Sequence, residues 1–343
     1  MTSKILADPR IDPRIKAAFG GMNFPPSVSV PNREAMLAAA SSEQAKAGQV
    51  AMNAWLDSMD SEEVAPSDGL SSRWEKIASS PDGNTINLHI IRPDNGKTLP
   101  CVYYIHGGGM ASMSCERGNY KAWGRVIAAQ GVAVVMVDFR NCVNPSSVPE
   151  VAPYPAGLND CVSGLKWVHA NAAKLGIDPS RIIISGESGG GNLTIATALK
   201  IKRDGDIGLI KGVYALCPYI AGQWPYPESA SSTENNGIFI DVHGNTGAMG
   251  YGIEALEARD PLAWPGFADE AEVKGLPPVV IHVNECDPLR DEGINFYRLL
   301  MRAGVAARCR QAMGTIHAIE IFPTCCPEIS RDTARDIAAF CAG

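Results

Sequence analysis

Short apolar runs recur along the chain, and stretches of helical period separate them. Runs at 74–79 and 85–91 flank Ser80-Pro81-Asp82-Gly83-Asn84, whose Pro, Asp and Gly suit a tight turn, so the spacing predicts a hairpin. Further strands are predicted at 100–105, 132–137, 182–184, 211–217, 278–283 and 306–311. Helices are predicted at 119–130, 156–175, 192–202, 291–303 and 328–340, with the 192–202 stretch read as amphipathic and Trp167 and Val168 facing inward. Buried strands separated by helices call for an α/β fold, a mostly parallel central sheet with helices on both faces. The hairpin supplies an antiparallel edge.

Two stretches break this rhythm. Residues 1–70 are polar and rich in helix formers, chiefly over 32–59, where Met36, Ala39, Ala40, Val50, Trp55 and Leu56 make a broken apolar stripe. Pro25-Pro26 divides the region. Residues 221–276 hold Trp224, Pro225, Pro227, a Ser/Asn-rich stretch and Trp264-Pro265, and read as an insertion. The expected organisation is an N-terminal helical segment at 1–70, a core at 71–220, an insertion at 221–276 and the rest of the core at 277–343.

Composition narrows the classes of function. The chain has 343 residues, is 45% hydrophobic and has a net charge of −7. A mildly acidic surface gives no electrostatic reason to bind nucleic acid or an anionic membrane. No apolar run approaches the ~18–20 residues of a membrane span, and the first residues carry no signal-peptide core, so the cytoplasm is the expected location. The ten cysteines form no C-x-x-C pair and no zinc-like cluster with histidine. All ten, including adjacent Cys325 and Cys326, are read as reduced thiols, and no metal is expected.

The candidate chemistry gathers at Arg181 to Asn192. There a β-branched run enters Gly186-Glu187-Ser188-Gly189-Gly190, and a helical stretch leaves it. This is the G-x-S-x-G pattern of a nucleophile on a strand-to-helix corner. Glycines two before and two after the serine let the chain pass itself closely, and the helix aims free N–H groups back at the site. The alternative is an ordinary glycine-rich turn. His106-Gly107-Gly108-Gly109 ends another strand and fits an oxyanion loop. Chain order asks for an acid and then a base after late strands. Asp287 follows the 278–283 run, and its rival Asp291 is expected to cap the next helix. His317 is the only histidine beyond Asp287. His89 and His282 alternate on strands, His169 lies on a helix, and His243 is in the insertion.

Taken together, His106-Gly-Gly-Gly, Pro153-Tyr154-Pro155-Ala156, the elbow, and Asp287-Pro-Leu-Arg-Asp-Glu-Gly293 resemble the hormone-sensitive-lipase-like carboxylesterases, the bacterial family IV esterases of the α/β-hydrolase fold. The match runs from about residue 75 to the end. Glu187 with Gly189, where the family commonly has Asp and Ala, looks most like the brefeldin A esterase branch. The resemblance implies Ser188 as nucleophile, His317 as base and Asp287 as orienting acid. It implies an oxyanion hole from the N–H groups of Gly108, Gly109 and Gly189, and no cofactor. It implies a helical cap built from 1–70 and 221–276, and hydrolysis of short- to medium-chain esters. Lactone or amide hydrolysis is the alternative, and a non-catalytic receptor on this fold, as plant gibberellin receptors are, is disfavoured because His317 is retained. The partner is a small ester, with a homodimer left open. Two departures stand out: Phe139 to Asn144 replaces the family's Tyr-Arg-Leu-Ala-Pro-Glu, with a change of substrate preference expected, and Ala318 stands where glycine is common, with local adjustment expected.

Overall fold

A computed structural model describes residues 3–22, 24 and 26–343. The expected break at Pro25 lies outside the described residues.

The N-terminal part is four helices, α1 (Lys4–Ala7), α2 (Pro13–Phe19), α3 (Arg33–Ala40) and α4 (Glu43–Asp57). The 32–59 stretch is broken in two because Ser42 caps α4, its hydroxyl accepting from the Ala45 amide at 3.2 Å. The apolar stripe is only partly real. Ala39 and Val50 face solvent, Val50 being 68% exposed, while Leu56 is buried.

The core begins with the hairpin β1 (Leu70–Ala78) and β2 (Thr85–Pro93), then β3 (Leu99–Ile105), α5 (Gly118–Ala128), β4 (Ala133–Asp138), α6 (Ala156–Ala170) and the short α7 (Ala172–Leu175). Next come β5 (Ile177–Glu187), α8 (Gly189–Arg203) and β6 (Gly212–Leu216). The insertion is short helices, α9 (Ser231–Glu234), α10 (Thr246–Tyr251), α11 (Ile253–Glu257) and α12 (Glu270–Val273). The chain closes with β7 (Val279–Asn284), α13 (Arg290–Arg302), β8 (Ala307–Ala312) and α14 (Pro327–Ala342).

The eight strands form one sheet in the order β1-β2-β4-β3-β5-β6-β7-β8. β2 runs antiparallel to both β1 and β4, and every other pairing is parallel. The architecture is the expected one. Every residue of β3, β4, β6 and β7 is buried, which is why these strands read as continuous apolar runs. One expectation fails: α8 is not amphipathic over its first turns. Gly189 to Leu199 are all buried, and only the final turns reach solvent. The helix crosses the middle of the sheet, so its polar members, Asn192, Thr194 and Thr197, are buried too.

The two irregular stretches are fastened to the core and to each other. Asn245 in the insertion bonds both backbone groups of Val30, at 2.8 and 2.9 Å. Lys4 and Arg10 reach Asn236 and Asn235, and the amide of Asp12 donates to the carbonyl of Gly314 at 2.9 Å. The Tyr154 hydroxyl donates to Asp260 at 2.7 Å.

Candidate active site

Strand β5 ends and α8 begins within one residue, and that residue is Ser188. Its backbone is at φ +57° and ψ −121°, a region L side chains rarely adopt. The corner is so tight that a Cβ on Gly186 would lie 2.6 Å from the Gly190 carbonyl oxygen, and one on Gly190 would lie 2.1 Å from that of Ile105. Both outer glycines of the motif are therefore required. The turn is held by the Ser188 amide donating to Leu216, and by the Ser188 carbonyl accepting from Asn192 and Tyr219.

The residues read from sequence as acid and base converge here. His317 Nε2 is 2.8 Å from Ser188 Oγ, and His317 Nδ1 is 2.7 Å from Asp287 Oδ2. With an acceptor-only carboxylate on Nδ1, that nitrogen carries the proton and Nε2 is free to accept from the serine. Asp287 is fully buried, and its other oxygen accepts the Leu289 amide at 2.9 Å. The loops bearing the two residues are tied together: Cys286 donates its amide to Thr315, and Asn284 bonds Thr315 and Glu320. Asp291 does not cap α13. It sits in the first turn, paired to Arg290, and accepts the Ser231 amide at 2.8 Å.

His106 to Gly109 follow β3 and face the same corner. Gly108 and Gly109 have φ of +91° and +63°, and a Cβ on Gly108 would lie 2.2 Å from the Ser112 carbonyl oxygen. Among the described residues the amides of Gly108, Gly109 and Gly189 have no hydrogen-bond acceptor, and Gly189 packs directly against Gly109. His106 stacks on Phe139 at 4.3 Å.

A cavity of about 610 Å³ opens over Ser188, His317, Gly108 and Gly109. Met36, Gln49, Met52 and Trp55 enter it from the N-terminal helices, and Phe239, Val242 and Thr246 from the insertion. Phe24, Phe239, Phe322 and Trp55 form an aromatic wall, with ring centroids 4.9–5.9 Å apart in successive pairs. The Phe139 to Asn144 loop does not line the cavity. It lies behind the oxyanion loop, where Cys142 donates to Met110 and Asn144 to Ala111. Ala318 takes the left-handed conformation directly, at φ +55°, and His317 keeps its contacts.

Sequence reasoning missed three neighbours. Glu187 is buried beneath the oxyanion loop and accepts from Gly107 N–H and the hydroxyls of Tyr104 and Tyr120. Glu292 is buried under the insertion, accepting from the amides of Ile220 and Ala221 and from Trp224 Nε1, and burial pushes its carboxyl up to about 8. Both stand inside recognised motifs, but a carboxylate at a motif position carries no mark of its burial. Cys217 lies beside the acid and base, its sulfur within 4.8 Å of their facing atoms. Burial, then the charge of Asp287, pushes this thiol well above its usual range, so it is a neutral thiol and a poor metal ligand.

The match to known proteins follows this geometry. The pattern described as the alpha/beta hydrolase fold covers residues 102–321. Carboxylesterase NlhH of Mycobacterium tuberculosis is 33% identical over 246 residues, 70% of this chain and 73% of that one. Esterase Est22 is 66% identical over the whole of both chains with a TM-score of 0.99, and another Est22 structure, 65% identical with a TM-score of 0.97 over 99% and 100% of the two chains, was solved with p-nitrophenol. Brefeldin A esterase, a bacterial homologue of human hormone-sensitive lipase, is 37% identical over 98% of this chain and 95% of that one, with a TM-score of 0.86. With that pattern across most of its core and this architecture throughout, the chain belongs to the alpha/beta hydrolase fold family, among its hormone-sensitive-lipase-like members.

Proposed function

We propose that the chain is a serine carboxylesterase in which Ser188 attacks, His317 moves the proton and Asp287 orients the imidazole. The observation that carries this reading is the unbroken contact from Asp287 through His317 to a serine at a strained corner facing a cavity. As Ser188 Oγ adds to the ester carbonyl carbon, its proton passes to His317 Nε2. The carbonyl oxygen becomes an oxyanion, held by the free amides of Gly108, Gly109 and Gly189. Collapse expels the alcohol, which takes the proton from His317 and leaves an acyl group on Ser188. Water, deprotonated by the same imidazole, then releases the acid. Asp287 stabilises the imidazolium of each step. No cofactor enters this sequence.

The helices of 1–70 and the 221–276 insertion serve as the cap, since both supply cavity walls. A cavity of about 610 Å³ with apolar walls suits short- to medium-chain esters, and the aromatic wall suits flat alcohols of the kind held by Est22. The likeness to brefeldin A esterase favours a second reading, lactone opening, which uses the same steps with the leaving alcohol tethered. Comparing kcat/KM for p-nitrophenyl butyrate and a macrolactone separates the two. The ten free thiols suit a reducing compartment such as the cytoplasm.

Ser188→Ala tests the core of the reading. It should lower kcat by roughly 10⁵–10⁶-fold, as for other serine triads. Residual activity above about a hundredth of wild type would remove Ser188 from the role of nucleophile.

A further inference from the structure

The common Asp and Ala of this motif are replaced here by Glu187 and Gly189, and the structure gives the pair a joint task. Glu187 is 1% exposed and borders the cavity, but its hydrogen bonds go to Tyr104, Gly107 and Tyr120 and not to Ser188 Oγ. Its Oε1 accepts from Gly107 N–H at 2.6 Å and from the Tyr120 hydroxyl at 2.6 Å. Its Oε2 accepts from the Tyr104 hydroxyl at 2.5 Å. Tyr120 also lies 3.0 Å from the Gly107 amide, so residue 107 is gripped from two sides. A Cβ on Gly107 would fall 2.5 Å from Glu187 Oε1. The carboxylate thus fastens the first glycine of the oxyanion loop to the residue just before the nucleophile.

Gly189 lies on the far side of the nucleophile. A Cβ there would fall 2.6 Å from the Met110 amide nitrogen and 2.7 Å from Gly109 nitrogen and Cα. The loop therefore rests against the start of α8, at a distance that excludes even a methyl group. A methyl group at residue 189 would push this loop outward, so Glu187 draws the loop down on one side of the nucleophile and Gly189 leaves it room on the other.

We propose that Glu187 is a positioning residue that fixes the height of the oxyanion loop above Ser188, with Gly189 as the contact that lets the loop come so close. This rests on the reading of Ser188 as nucleophile and of the Gly108 and Gly109 amides as oxyanion donors. A buried carboxylate gathering three donors is a rigid peg, because none of the donors has water to turn to. Burial pushes the Glu187 carboxyl up, while the two tyrosine hydroxyls, His106 and the Gly107 amide oppose that shift. Donors displaced by a fraction of an ångström still admit the flat ester but miss the oxygen of the tetrahedral intermediate. The effect belongs to the transition state alone.

The test is Glu187→Ala and Glu187→Gln, with p-nitrophenyl butyrate as substrate and an alkyl trifluoromethyl ketone as inhibitor. The ketone carbon bonds to Ser188 Oγ, the serine proton goes to His317, and the former carbonyl oxygen remains as an oxyanion in the same loop. Glu187→Ala should lose about 10²-fold in kcat, the scale of one lost oxyanion donor, with KM within about threefold of wild type. The ketone's Ki should rise by the same factor. Glu187→Gln keeps the length and one acceptor oxygen, and its amide can donate to Tyr104, so it should stay within about tenfold of wild type. Gly189→Ala should impair kcat and ketone binding together. If Glu187→Ala fails to fold, as its thermal transition would reveal, Tyr120→Phe takes its place: it removes one of the three donors, should lower kcat and raise the ketone's Ki together, and would overturn the proposal if only KM moved. A Glu187→Ala enzyme within threefold of wild-type kcat would overturn the proposal. So would a loss confined to KM, or a fall in kcat with ketone affinity unmoved. An active Ser188→Ala enzyme would instead overturn the site reading itself. An inactive Ser188→Ala beside an unimpaired Glu187→Ala would overturn only the positioning.

Discussion

At Ser188 a backbone conformation costing of order 1–3 kcal/mol is held by the carbonyl of Leu216 and the amides of Tyr219 and Asn192. The strain aims Oγ at the imidazole. In the proposed role Asp287 acts through geometry as much as charge, since Nδ1 needs an acceptor to keep its proton. Asp287→Asn can present an N–H there and stabilise the wrong tautomer. It should lower kcat by about 10⁴-fold with little change in KM, as measured at neutral pH. Most of this scale was legible beforehand. Ser188 and Asp287 stand in motifs, chain order singled out His317 as the only histidine beyond Asp287, and the three side chains do meet. Glu187 and Glu292 could not be found this way, because a carboxylate in a motif reads the same whether it faces water or a buried amide.

At the scale of elements, α13 links the acid's loop to the insertion. Its Glu292 takes two amides and an indole from the first turn of the insertion, where Trp224 stacks on Tyr219 at 4.3 Å. Burial raises the folded carboxyl to about 8, above its unfolded value of 4.5. The folded state therefore holds this proton more tightly than the unfolded state does. Its stabilising contribution is complete below about pH 4.5 and is lost as pH rises through 8. The Tm of Glu292→Gln relative to wild type should accordingly rise between pH 5 and pH 8, and calorimetry across that range checks it. A flat difference would mean that the donors keep the group ionised throughout. Element boundaries were readable in the sheet, where burial on both faces forces apolar runs. They were less so in α8, whose small and polar residues disguise a helix buried over three turns, and in the Ser41–Ser42 break, where a serine cap outweighed good helix formers.

Across the whole molecule, the N-terminal segment is a structural clasp as well as a wall. Ile5, Ile11, Ile15 and Phe19 are at most 2% exposed, and Phe19 packs edge-on to Trp55, Phe239 and Phe322. Ile15→Ala should lower stability by about 2–5 kcal/mol, read from the urea midpoint. If the segment detaches first, trypsin should cut within it before the core unfolds. None of this long-range docking could be read from periodicity, because α1 and α2 span only four and seven residues, and partners such as Asn235 and Asn236 lie more than 200 positions away.

The bond between Asp12 and Gly314, with Arg14 reaching Glu328, has a consequence for synthesis on the ribosome. Ile5, Ile11, Ile15 and Phe19 are made long before the C-terminal residues that help to cover them. Their docking site is complete only once Gly314 and Glu328 have been added. Until then those apolar side chains have no partner surface and the wall they support is unfinished, so a chain cut short before Gly314 should expose them to a hydrophobic dye.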